Sequence, residues 1–170
     1  MTGHRLYLLR HAKSSWKDTS LPDHDRPLAG RGRRAAKAIA RHLREQDLEP
    51  QLVLCSTARR ARETLERIQP ALGAATVELE RDLYAASADA LLERLRRVPD
   101  TVASVMLIGH HPGLHDLALD LARSPRTVSE LATKFPTAAL ATLEVPASNW
   151  HELDHETAEI VAFVRPRDVD

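Results

Sequence analysis

Three short stretches of the chain hold residue types that handle phosphate: Arg10-His11, Arg60 within Ser56-Thr57-Ala58-Arg59-Arg60-Ala61-Arg62, and His110 within Gly109-His110-His111-Pro112-Gly113. Arginine offers a planar fork of donors to phosphate oxygens, and a neutral imidazole is a competent nucleophile near pH 7. Arginines and histidines drawn together therefore suit phosphoryl transfer. An isolated Arg-His pair is more often an ordinary surface turn, so the case rests on the three stretches taken jointly.

Each stretch directly follows an apolar run that reads as a strand. Candidate strands are 6–9, 52–55, 76–79, 102–108, 140–145 and 160–164. Helical spacing marks the segments between them: Ala36, Ile39, Ala40 and Leu43 form one stripe, Leu114, Leu117, Ala118 and Leu121 another. Ala61, Leu65, Ile68 and Leu72 mark a further helix, with Ser56 or Thr57 placed to cap it and Pro70 or Gly73 to end it. A shorter helix runs over 88–97, capped by Ser87 and stopped by Pro99. Strands alternating with helices predict a single α/β domain, a three-layer αβα sandwich around a mostly parallel sheet. In such a sheet ligands bind at the carboxyl ends of the strands, where these stretches fall. Helix starts after Ser56 and near Gly113 would add backbone N–H donors for an anion. The stretch 13–31 has no clear period and is long for a connection, which points to function.

Composition narrows the remaining classes. At 170 residues the chain fits one domain. Its 24 basic and 24 acidic residues cancel, and no block of like charge forms a tail, so nothing favours nucleic acid or an anionic membrane surface. The apolar run 6–9 is too short for a signal or membrane segment, which predicts a cytoplasmic protein. Cys55, the sole cysteine, lies in an apolar run and reads as a buried thiol. His151-Glu152-Leu153-Asp154-His155 fits the spacing of a zinc protease, but that reading needs a helix where a polar loop before the last strand is expected. His110, His111 and His115 form no helical metal set, because Pro112 and Gly113 interrupt the spacing. No metal or other cofactor is expected.

Leu9-Arg10-His11-Ala12-Lys13-Ser14, Ser56-x-x-x-Arg60-Ala61-x-x-Thr64 and Gly109-His110-His111-Pro112-Gly113 resemble the histidine phosphatase superfamily, whose fold is phosphoglycerate mutase-like. Asp25-Arg26-Pro27-Leu28, Asp82-Leu83-Tyr84-Ala85-Ala86-Ser87 and Phe135-Pro136-Thr137-Ala138-Ala139-Leu140 are similar to its SixA-type phosphohistidine phosphatases. The resemblance implies that His11 is the nucleophile, forming a phosphohistidine intermediate, and that Arg10, Arg60 and His110 hold the phosphate oxygens. Ser14, Lys17 and Arg26 are further candidates for phosphate or substrate contact. Arg59 and Arg62 fall outside the motif register and read as a solvated helix face.

Two departures stand out. Ala12 replaces the glycine often found there, and Lys17 stands where an asparagine is common. The Gly-x-Trp-Glu stretch that carries the general acid in mutase and phytase-like branches is missing, and Asp82 is the nearest substitute. An alkoxide leaving group needs a proton, whereas a phosphoramidate nitrogen is readily protonated beforehand, so a missing acid favours phosphohistidine substrates. The expected partner is a phosphohistidine protein or a small phosphorylated molecule. A small-molecule phosphomonoesterase, a mutase and a phosphate-binding module without turnover are the alternatives.

Overall fold

The computed structural model describes residues 3–123, 131, 133–147 and 149–169. Strands β1 (His4–Arg10), β2 (Leu52–Ser56), β3 (Thr76–Glu80), β4 (Ser104–Gly109), β5 (Leu140–Val145) and β6 (Glu159–Val164) form one sheet in the order β3-β2-β4-β1-β5-β6. The pairs β3-β2, β2-β4 and β4-β1 are parallel, and β5 runs antiparallel to both β1 and β6. The sheet is therefore mostly parallel, as the alternation of strands and helices predicts.

Period-two burial builds the layers. Leu6, Leu8, Leu54, Val105 and Leu107 point into a core shared with Leu91, Leu92, Leu95, Leu114 and Leu117. Tyr7, Leu9, Val53, Cys55, Met106 and Ile108 point the other way, onto Ala36, Ile39, Leu43, Ala61 and Leu65. Helices α1 (Gly30–Glu45) and α2 (Arg59–Ile68) thus cover one face, and α3 (Ala88–Arg96) and α4 (Gly113–Leu121) the other. Strands covered on both faces read as continuous apolar runs, which is why β1, β2 and β4 are plain in the sequence. A last helical turn, Pro166–Val169, packs near α1.

One expectation is corrected, and two alternatives left open by the sequence are decided. Neither Ser56 nor Thr57 caps α2: its N-cap is Ala58, without a side-chain bond, because the Ser56 and Thr57 hydroxyls face His110 and His24 instead. The helix ends at Ile68 rather than running to Gly73, since Pro70 supplies no N–H, and Gln69–Ala71 tighten into a 3-10 turn. The stretch His151 to His155 has only a 3-10 turn, Trp150–Glu152, and a loop in which Leu153 is buried and the histidines exposed. Without an α-helix its two histidines do not share a face, so the zinc-protease reading fails on geometry. By contrast, Ser87 does cap α3, accepting the Ala90 N–H at 3.2 Å.

Candidate active site

The carboxyl ends of β1, β2 and β4 meet at the middle of the sheet. Arg10 ends β1 opposite Gly109 of β4, and the His11 N–H donates to the Gly109 carbonyl at 3.0 Å. On the other side the Ala138 N–H reaches the carbonyls of Arg10 and His11, both at 3.1 Å. Ala138 holds a left-handed backbone (φ 62°) in the turn before β5, and Ala85 (φ 56°) does so beside Tyr84. Non-glycine residues held there cost energy and tend to gather where function over-determines the backbone.

Helix α2 is tied to this strand end by Thr64. Its hydroxyl accepts the Ala12 N–H at 2.9 Å and donates to the Arg60 carbonyl at 2.8 Å. Glycine is required on the facing helix, because a Cβ at Gly32 would stand 2.1 Å from the Lys13 carbonyl oxygen. The α1 backbone thereby presses against the turn that carries His11.

His11 is 6% exposed. Its Nδ1 lies 2.7 Å from the Ala12 carbonyl, which can only accept, so Nδ1 carries the proton. The free lone pair is then on Nε2, where the Arg60 Nε–H donates to it at 3.4 Å. Desolvation by burial, which outweighs the bond to Ala12, pushes the His11 pKa down to about 3, and His110, Arg60 and Arg10 press the same way. Burial, helped by Arg60, likewise lowers His110 to about 4. Both rings are neutral near pH 7, with centroids 5.2 Å apart.

His110 is oriented through Ser56. The Ser56 hydroxyl accepts the Ala58 N–H at 3.2 Å and lies 2.7 Å from His110 Nε2. Its own proton has no other acceptor among the described residues and goes to Nε2, which leaves a proton on His110 Nδ1. That Nδ1 and Arg10 Nε are buried with no partner among the described residues. Unanswered buried donors beside the His11 Nε2 lone pair are what an incoming anion would satisfy. Burial, with Arg60 nearby, also lowers the Arg10 pKa, and its Nη1 is held at 2.8 Å by the Phe135 carbonyl.

Of the residues singled out in sequence, Arg10, His11, Arg60 and His110 converge here. Arg26 is buried at the edge, donating to the Ser14 hydroxyl at 2.8 Å and pairing with Asp23 at 3.2 Å. Lys17 is exposed and its side chain contacts none of these groups among the described residues. Asp82 is exposed in a 3-10 turn and is not drawn in. Two other residues of those stretches are. Asp23 receives Arg60 at 3.0 Å and the Tyr84 hydroxyl at 2.5 Å, and Tyr84 stands edge-on to both His24 and His110. The Tyr84 bond, then Arg60 and Arg26, hold the Asp23 carboxyl far below the usual carboxylate range. Sequence reasoning passed over Asp23 because it lies in a stretch without period. Its only signal was its place just before the Asp25-Arg26-Pro27-Leu28 motif. The buried Cys55 thiol is pushed up to about 12 by desolvation, so it is no nucleophile.

Residues 6–91, just over half of the chain, match the family model described as "Histidine phosphatase superfamily (branch 1)". The chain belongs to this superfamily. Protein Rv1276c of Mycobacterium tuberculosis is 39% identical over 163 residues, 94% of this chain and 100% of the relative. The structure of a candidate SixA phosphohistidine phosphatase from Nakamurella multipartitia superposes with a TM-score of 0.83 at 30% identity, covering 98% of both chains. The fold is also that of a mycobacterial glucosyl-3-phosphoglycerate phosphatase, with a TM-score of 0.66 at 17% identity over 94% of this chain and 98% of that one. Solved structures of this fold are thus named for phosphohistidine and for a small phosphorylated molecule. No helix among the described residues is long and apolar enough to cross a membrane.

Proposed function

We propose that the protein is a metal-independent phosphatase that takes the phosphoryl group onto His11 Nε2 and prefers phosphate linked to histidine nitrogen. The observation that carries this reading is the His11 ring itself: Nδ1–H is committed to the Ala12 carbonyl, so the Nε2 lone pair faces Arg60 beside His110.

In the first step Nε2 bonds to phosphorus while the bond from phosphorus to the substrate nitrogen breaks. That nitrogen departs as an imidazole protonated before departure. Water then attacks the phosphohistidine, the phosphorus–Nε2 bond breaks, and phosphate leaves with His11 neutral again. Arg10, Arg60 and the His110 Nδ1–H meet the charge that spreads over the oxygens, the kind of fixed electrostatic stabilisation that lowers such barriers most. Cationic side chains already supply this charge, which is why a metal is not required.

The leaving group follows from the acids at hand. Asp23 is kept ionised by Tyr84 and two arginines, so it has no proton to give near neutral pH. Asp82 is exposed and stands outside the cluster. A phosphoramidate needs no such donor, whereas a serine alkoxide does.

Rapid quenching of a labelled phosphohistidine donor should give acid-labile, base-stable label on the wild-type chain and none on His11→Ala. Comparison of kcat/KM for phosphohistidine and phosphoserine proteins, with and without EDTA, should favour phosphohistidine and show no effect of the chelator. Label retained by His11→Ala would overturn the nucleophile, and faster phosphoserine hydrolysis would overturn the substrate. Loss of activity in EDTA that added zinc restores would overturn metal independence.

A further inference from the structure

The rim that carries His11 holds a second concavity. A groove of about 700 Å³ opens between the start of α1, the 133–137 segment leading into β5, and the turn after β6. Because β6 runs parallel to β1 and β5 opposes both, these elements all reach the same end of the sheet.

Arg31, Arg34, Arg165 and Arg167 line this groove together with Lys13 and Lys134, and no carboxylate among the described residues does. The chain is neutral overall, so six like charges around one hollow do not follow from composition. Arg165 is paired with Asp168 at 3.0 Å, the acidic group beside the groove. The other five cations enter no ion pair among the described residues. Phe163 and Ala35 give the groove an apolar wall. Mutual repulsion among cations on low-dielectric walls focuses a positive potential that a polyanion relieves.

Size and donor type narrow the ligand. The volume lies within the roughly 300–1,000 Å³ of small-molecule sites. Four of the six cations are arginines, whose forks match phosphate oxygens. None of Arg10, His11, Arg60 and His110 lines the groove. We propose that it binds a small organic polyphosphate, a molecule with two or more phosphate groups and an apolar or aromatic body, independently of the chemistry at His11.

Calorimetric titration with adenosine triphosphate tests this on the wild-type chain, on Arg31→Glu/Arg34→Glu and on Arg60→Glu. Arg31 falls in the first turn of α1, where a glutamate suits the helix dipole, and Arg34 is exposed to solvent, so the double variant should fold, which its melting temperature checks. Should it not fold, Arg34→Ala with Lys134→Ala replaces it. Affinity should fall at least about tenfold in the groove variant, be little changed in Arg60→Glu, and weaken with salt. Hydrolysis of a small aryl phosphate by the groove variant should stay within about twofold of wild type, since these residues lie outside the His11 cluster. Loss of binding in Arg60→Glu with retention in the groove variant would place the nucleotide at His11 and overturn the proposal. So would the absence of binding at about 1 mM ligand. Tighter binding of hexaglutamate than of the nucleotide, abolished in the groove variant, would also overturn it, in favour of an acidic protein segment.

Discussion

At the scale of single residues, a carbonyl fixes the tautomer of His11. Ala12 takes the Nδ1 proton of His11, and burial keeps the ring neutral, with a pKa near 3. Nitrogen NMR of the two site histidines should therefore show neutral rings down to about pH 5, with the pyridine-like nitrogen at Nε2 in His11 and at Nε2, facing Ser56, in His110. Protonation of either ring near pH 6.5 would contradict this. Replacing Arg10 or Arg60 by Ala, or His110 by Asn, should lower kcat by roughly 10²–10³ while the fold persists, each removing one fixed donor to the transferring group. These four residues were legible because each lies directly at a strand end or at the start of the helix that follows one. Asp23 and Tyr84 were not: their bond joins positions 61 residues apart, and no local spacing announces it.

Among the elements, β1, β2 and β4 supply the rim, and α2 is clamped to it through Thr64. Ala12 is fully buried, so its N–H has no solvent to fall back on when the Thr64 hydroxyl is removed. Thr64→Val should cost about 1–3 kcal/mol, the penalty of a buried unsatisfied donor, and should lower kcat because Arg60 is held through the same hydroxyl. Thr64→Ser, which restores the oxygen, should recover both. Calorimetric melting and steady-state rates report the two effects, and a valine variant with unchanged melting and rate would sink the clamp. Element types were readable from the periods of apolar residues. Helix starts were less so, because Ser56 and Thr57 look like caps in sequence yet spend their hydroxyls on histidines brought near by the fold. A capping residue and a site residue share one chemistry, and only the tertiary neighbours distinguish them.

For the whole molecule, neutral histidines buried inside a charged site make stability depend on acid. The unfolded chain takes up protons on His11 and His110 below about pH 6.5, their ordinary value. The native state resists until about 3 and 4 respectively, because burial opposes the charge. A depressed native pKa means that the unfolded state binds more protons across this interval, so stability falls as pH falls. The loss should begin near pH 6.5 and be complete for these groups near pH 3. It should amount to several kcal/mol, up to roughly 8 for the two rings together, because each tenfold difference in proton affinity between the native and unfolded chain is worth roughly 1.4 kcal/mol. Asp23 adds a separate loss, confined below the ordinary carboxylate range, because Tyr84 and the arginines favour its ionised form. Urea unfolding at fixed salt from pH 8 to about pH 2 covers both windows. Replacing both histidines by asparagine should flatten the curve between pH 6.5 and 4 while leaving the lower fall in place. If the double variant keeps the full slope in the upper window, the acid sensitivity arises elsewhere and the site rings are not buried as neutral groups.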